Sequence, residues 1–166
     1  MIAGLDISTR AIHIVSLPED DNHAQLHVVR VDTERGDATD RIRRLRDRMP
    51  ARGAWRDAGC TLIAIEKPFS RGPGIAPMMA VYGALLQLFP PDLPLLELRS
   101  DDWRRECAIP IRKPRDAGSD FHKRAAVAFA RQQWPDAPPL DNNAADAFCI
   151  AYAARELDLR RGQAAA

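Results

Sequence analysis

Cysteine is scarce and poorly placed for cross-linking. Cys60, Cys107 and Cys149 are odd in number and far apart, so they spell neither a disulfide framework nor a CxxC zinc site, and a reducing compartment is expected. The histidines His13, His23, His27 and His122 are dispersed and form no HExxH pair, which argues against a zinc enzyme. There is no GxSxG and no serine on a recognisable nucleophile elbow. No run approaches the roughly 20 apolar residues of a membrane span. Met1 leads directly into Ile2–Leu5 without a basic region or cleavage site, from which a cytoplasmic protein with no membrane partner is expected. Internal repeats are lacking, and low complexity is confined to Gly162–Ala166. A length of 166 residues fits one domain with a real core, expected over 1–160 with a flexible tail at 161–166.

A formal net charge of +1 looks unpromising for nucleic-acid binding, yet the charge is unevenly spread. Asp20, Asp21, Asp32, Glu34, Asp37 and Asp40 make the early chain acidic, and Arg41, Arg43, Arg44, Arg46, Arg48, Arg52 and Arg56 make the next segment basic. A second basic stretch holds Arg104, Arg105, Arg112, Lys113, Arg115, Lys123 and Arg124. Solvated helix faces account for either cluster. The second is the better DNA candidate, because Pro110, Pro114 and Gly118 make its middle a loop able to reach a phosphate backbone, with Lys113 at its centre.

Ile, Val and Leu cluster at 1–7, 11–17 and 25–31 between turn and polar residues, which predicts a β-meander. Residues 38–48 read as a helix with Ile42, Leu45 and Met49 at helical spacing. Thr61–Ile65 is a buried strand closed by Glu66. An apolar helix is predicted from Ile75 to Phe89, a strand over Leu93–Leu98 despite Pro94, and helices near 100–107, 120–134 and 143–158. Three strands followed by alternating helices and strands give an α/β fold, a mixed sheet with helices on both faces.

Functional groups collect at the carboxyl ends of parallel strands in such sheets, and two apolar strands here end in the acids Asp6 and Glu66. A carboxylate there is costly to desolvate without a cation, a donor or water; capping a neighbouring helix or reaching solvent would satisfy either acid alone. The third element is DNNAADAFCIAYAARE, where Asp146 stands in an alanine-rich helix with Asn143 three residues earlier on the same face. Ala144, Ala145 and Ala147 would let this helix lie close to the sheet and bring Asp146 to the strand-end acids. Clustered acid oxygens suit hard divalent cations such as magnesium or manganese. Two such ions about 4 Å apart can activate water and stabilise a leaving oxygen in phosphodiester hydrolysis. For Asp146 alone, an acid favoured by the helix macrodipole is the plainer explanation.

GLDIST at 4–9, IAIEKPF at 63–69 and NNAADAFCIAYAA at 142–154 together resemble the successive acidic motifs of RuvC-type Holliday-junction resolvases in order, separation and setting. The resemblance spans nearly the whole chain. It implies an RNase H-like fold with a five-stranded mixed sheet, a homodimer, and paired symmetric nicks in a four-way DNA junction with Mg2+ or Mn2+, two ions per active site. On that resemblance Asp6, Glu66 and Asp146 are catalytic metal ligands. The family carries an acid, or sometimes a histidine, where this chain has Asn143, a neutral oxygen donor; Asp141, just before the helix, is the alternative. Lys123 matches a lysine near the scissile phosphate, where a cation would stabilise developing charge. Phe69 matches an aromatic that stacks on junction bases, a contact of about 1–3 kcal/mol. Lys67 and Arg71, the latter in a loop with Gly72 and Gly74, are further candidates for DNA contact.

GLDIST also opens actin-like sugar kinases, but those need two such domains and a second phosphate loop, which 166 residues do not hold. Another RNase H-like nuclease, of the YqgF type or acting on RNA:DNA hybrids, has the same metal chemistry. A non-catalytic junction-binding protein is favoured only by Asn143. The apolar helix at 75–89, with Met78, Met79, Val81, Leu85 and Leu86, is a candidate dimer interface and equally a candidate core helix.

Overall fold

A computed structural model of the chain describes residues 1–8, 11–18, 25–30, 38–68 and 75–165. Period-two alternation in the first strands sends one set of side chains to each face, so one sheet is buried on both sides. The strands are β1 (Ile2–Ile7), β2 (Ala11–Leu17), β3 (Gln25–Arg30), β4 (Leu62–Glu66) and β5 (Leu95–Leu98). They form a five-stranded mixed sheet in the order β3-β2-β1-β4-β5. β1, β2 and β3 make the antiparallel meander, while β1–β4 and β4–β5 are parallel. Ser8 closes the first turn: its hydroxyl donates to the Ala11 carbonyl and accepts from the Ala11 N–H, both at 2.8 Å.

The helices are α1 (Ala38–Arg48), α2 (Arg52–Asp57), α3 (Ile75–Leu86), α4 (Ser100–Glu106), α5 (Phe121–Gln133) and α6 (Asn142–Ala165). The expected elements are all present, β2 and α1 with the expected ends and the others with shifted ones. α3 stops at Leu86 rather than Phe89, because the Gln87 and Leu88 N–H groups turn to carbonyls three residues back. β5 starts after Pro94, which has no N–H for the ladder. α2 is an addition, a six-residue helix that buries Trp55. α6 continues through Gly162 to Ala165, over residues read from sequence as the end of the helix and a tail.

Two cores lie on opposite faces of the sheet. Ile2, Val15, Leu17, Leu62, Ala64 and Leu98 pack with α4, α5 and α6. Ala3, Leu5, Ile12, Ile14, Ile63 and Ile65 pack with α1, α2 and α3. No helix among the described residues is long and apolar enough to cross a membrane.

Candidate active site

Glycine at position 4 sets the distance between α6 and the sheet. A Cβ there would lie 2.3 Å from the Ala151 backbone nitrogen and 2.5 Å from the Ala147 carbonyl oxygen, so α6 crosses β1 in backbone contact. Ala144, Ala145, Ala147, Ala151, Ala153 and Ala154 are buried along the same helix. Gly4 and Asp6 share a face of β1, and Asp6 emerges where α6 begins.

Three residues form a row across that face. Leu5 pairs with Ile65, which brings the next residues, Asp6 and Glu66, side by side at the carboxyl ends of parallel strands. On the other flank Asp6 pairs with His13 of β2, which is buried. Above the row, Asp141 caps α6: its Oδ1 accepts from the Ala144 N–H at 2.8 Å, while its Oδ2 lies 3.5 Å from His13 Nε2. Asp146, one turn into α6, completes the group.

The electrostatics are those of acids gathered away from water. Burial pushes the Asp6 carboxyl well above the usual carboxylate range, and the charges of Asp146, Glu66 and Asp141 push the same way against one backbone hydrogen bond from Ile7. Burial, with Glu66 and Asp141 adding, raises Asp146 to about 7, against the opposing pull of Arg104 and Lys123. Burial also raises Glu66, countered by the Trp103 indole, whose Nε1–H donates to Glu66 Oε2 at 2.9 Å, and by the Arg104 charge. As the side chains stand, no three Asp, Glu, His or Cys groups among the described residues are gathered tightly enough to hold one ion.

The fold therefore brings Asp6, Glu66 and Asp146 to one end of the sheet and sets Lys123, in the first turn of α5, within electrostatic reach of Asp146. Asn143 lies in the first turn of α6, half-buried, and makes no hydrogen bond with its side chain among the described residues. Lys67 follows Glu66 but is engaged: its Nζ is 3.5 Å from Glu97 Oε2, and the other Glu97 oxygen accepts from the Tyr82 hydroxyl. Lys113 is exposed in the 108–120 loop together with Arg112 and Arg115, none of them in an ion pair among the described residues. That loop leaves α4 through Ala108, whose φ of 53° is rare for a non-glycine, and returns to α5, where His122 Nε2 lies 3.0 Å from the Pro110 carbonyl. Phe69 and Arg71 lie outside the described residues.

Sequence reasoning missed His13, Trp103 and the site role of Arg104. The first was legible in principle, since hairpin pairing opposite Asp6 with period-two alternation puts His13 on the same face. The other two depend on how α4 packs against α6 and meets the end of β4, which no local pattern encodes. The first basic cluster belongs to the helix surface: Arg43 pairs with Asp40, Arg46 with Asp47 and Arg56 with Asp92.

No protein-family model matches the chain, and no curated protein matches it. Its fold is similar to that of T. thermophilus RuvC in complex with a Holliday junction substrate, with a TM-score of 0.66, 16% identity and 95% of each chain covered. The chain has the RuvC-type, RNase H-like fold. Thermus thermophilus RuvC in a second structure gives a TM-score of 0.63 at 17% identity over 96% of each chain. The Fowlpox virus resolvase in complex with Holliday junction DNA gives 0.53 at 13% identity, over 95% of this chain and 98% of that one. In this RuvC-like frame the acids lie where β1, β4 and α6 meet.

Proposed function

We propose that this chain is a divalent-metal-dependent endonuclease of a single domain that resolves four-way DNA junctions by paired phosphodiester hydrolysis. The observation that carries the reading is the convergence of Asp6, Glu66 and Asp146 from β1, β4 and α6, withdrawn from water with Arg104 and Lys123 as the opposing charges among the described residues. A carboxyl set whose members raise one another's proton affinity is one that a hard cation would relieve, and its donors are the oxygens such a cation takes. By donor chemistry and charge the residues fit Mg2+ or Mn2+, two per site by resemblance, after side-chain movement that draws the acids together.

Asp6, Glu66 and Asp146 would hold the ions, with Asn143 or Asp141 supplying a further oxygen. Ions bound there supply Lewis-acid polarisation of a phosphate and a water activated as nucleophile. Lys123 and Arg104 stand on the same side as Asp146 and would stabilise negative charge that grows on the phosphate oxygens. Lys113, with Arg112 and Arg115, offers unpaired cations for the DNA backbone, and Lys67 adds a contact once it leaves Glu97. Phe69, by its match to the family's stacking aromatic, and Arg71, by its place beside Gly72 in the sequence that follows, would contact the junction. Two copies would place two sites on a two-fold junction. α3 turns Val81, Tyr82 and Leu85 inward and leaves Met79, 44% exposed, on a strip with Ala76, Ala80 and Gly83 for such a contact. A cytoplasmic setting agrees with three free, buried cysteines.

The test is nicking of a synthetic four-way junction in Mg2+ and in Mn2+, beside a linear duplex, a flap and an RNA:DNA hybrid, with Asp146→Asn as control. Paired symmetric nicks confined to the junction and abolished by the substitution are expected. Cleavage of the hybrid alone moves the protein to another RNase H-like branch. Tight junction binding without cleavage in either metal makes it a binding protein, with Asn143 as the cause.

A further inference from the structure

Of the acids in the site, Glu66 is held in a way the others are not. Asp6 takes a backbone hydrogen bond and Asp141 a helix cap, whereas Glu66 Oε2 accepts from an indole N–H 2.9 Å away. Among the described residues Trp103 is the only hydrogen-bond donor to the Glu66 carboxyl. The indole is 1% exposed and the largest of the fully buried side chains, so water does not compete for the bond. Its N–H is a donor only and carries no charge. It can therefore fix one oxygen without neutralising the carboxylate, leaving Oε1 and the remaining lone pairs of Oε2 for another partner.

The helix that carries Trp103 is tied at both ends. At its start the Arg99 N–H donates to Asp102 Oδ2 at 3.1 Å. At its end the Ala108 and Ile109 N–H groups return to the carbonyls of Arg105 and Arg104 at 3.1 and 2.8 Å, with Ala108 in the left-handed conformation that closes such a terminus. The next residue, Arg104, has its guanidinium carbon 5.1 Å from the Trp103 ring centroid, and its charge acts on both Glu66 and Asp146. One short, doubly anchored helix thus supplies both the donor that orients an acid and the cation that faces two of them.

We propose that Trp103 is a positioning residue for the hydrolytic reaction, setting the orientation of Glu66 through its indole N–H. The inference rests on the nuclease reading above. A misplacement of about 1 Å in a reacting constellation costs on the order of 10²-fold in rate, and loss of an outer hydrogen bond to a metal ligand typically costs about 10–100-fold in affinity or activity.

Trp103→Phe opens a gap in a filled core, so the decisive variant is benzothienylalanine at position 103, which keeps the bicyclic shape and replaces the N–H with sulfur. The full chain, 15N-labelled, gives three indole resonances, from Trp55, Trp103 and Trp134, and the Trp103 signal is assigned by its loss in that variant. On titration with Mg2+ the Trp103 resonance is expected to move and saturate, while that of Trp55, on the opposite face of the sheet, stays. The variant, with its other two indole signals unchanged, is expected to lose about 10–100-fold in Mg2+ affinity and in kcat, with KM for the junction held. A variant that keeps wild-type Mg2+ affinity and kcat overturns the proposal, as does a Trp103 resonance that stays fixed at an Mg2+ concentration where the wild type cuts. A wild type that neither binds Mg2+ nor cuts a junction in Mg2+ or Mn2+ removes the nuclease reading and this proposal with it.

Discussion

The two faces of the sheet are built from the same strands to opposite ends. Under α1, α2 and α3 the contact is made by bulky groups: Leu5, Ile12, Ile63, Ile65, Leu85, and Trp55 set edge-on to Phe89 at 5.8 Å between ring centres. Under α6 it is made by glycine and alanine, and the backbones nearly touch. Large side chains hold a helix away from a sheet and gain stability from apolar area. Small ones let it descend until a side chain as short as aspartate on the helix can meet one on the strand. Both faces carry a core, but only the α6 face combines its core with a backbone approach close enough to gather charge at one end. Leu5 and Asp6 are neighbours in sequence and belong to these two different designs.

Substitutions at that pair break the comparison most sharply. Asp6→Asn is expected to reduce junction cleavage below detection while the melting temperature rises in metal-free buffer at pH 8, because a carboxylate repelled by three neighbours is removed. Leu5→Ala, one residue away and facing the other core, is expected to cost about 2–5 kcal/mol in stability and to leave cleavage by the folded fraction intact. Denaturant melts and cleavage rates on both variants decide the matter, and a stability loss in Asp6→Asn contradicts the picture.

The glycines give a second contrast. Gly4→Ala forces α6 off the sheet and is expected to destabilise by about 3 kcal/mol. Gly83→Ala, where a Cβ meets nothing within 4 Å on the outer side of α3, is expected to stabilise by about 0.5–1 kcal/mol. Chemical denaturation reads both, and equal costs would mean that α6 has slack.

The third test is pH. Asp6 and Asp146 bind protons more tightly in the folded than in the unfolded chain, so the folded state carries more protons between the ordinary carboxylate range and about 7. Stability then falls as pH rises through that window. In the absence of divalent cation the melting temperature is expected to be higher at pH 5 than at pH 8. Added Mg2+ should raise it more at pH 8, and Asp146→Asn should flatten the difference. A melting temperature that climbs from pH 5 to pH 8 in chelator contradicts this.

The smallest effect concerns Lys67. Glu97→Gln removes its ion-pair partner and is expected to tighten junction binding modestly, steepening the log–log dependence on salt by up to about one unit, as measured by anisotropy across ionic strengths. An unchanged slope would mean that Lys67 does not reach DNA.

Most of the fold was legible because its signals are local. Alternation in β1 and β2, the apolar run of β4 and the helical spacing of Ile42, Leu45 and Met49 each placed an element. α2 escaped because RGAWRD carries one buried residue and too short a period to register. Of the site, the three acids could be read because strand ends and an alanine-rich helix announce where carboxylates will meet. Asp141 was readable as a nearby acid but not as the cap of α6, a role that depends on where the helix starts. Trp103 and Arg104 were not readable, because their partners lie far away in sequence and the pairing is set by the packing of α4. Pro110, Pro114 and Gly118 already marked the second basic cluster as a loop and the better DNA candidate; what the sequence could not give is the pairing of Arg43, Arg46 and Arg56 with nearby acids, which makes the first a salt-bridged surface.

The close contact between Gly4 and α6 also orders events during synthesis. A strand near the beginning of the chain has as its cover a helix that begins at Asn142, and translation proceeds at roughly 5–20 residues per second. Several seconds separate the emergence of Glu66 from that of Asp146. Until then Asp6 and Glu66 stand on an uncovered sheet, without the helix that gathers them. A nascent chain, or one released before α6 is made, therefore holds Asp6 and Glu66 without Asp146, and the cluster of acids is complete only once α6 has docked.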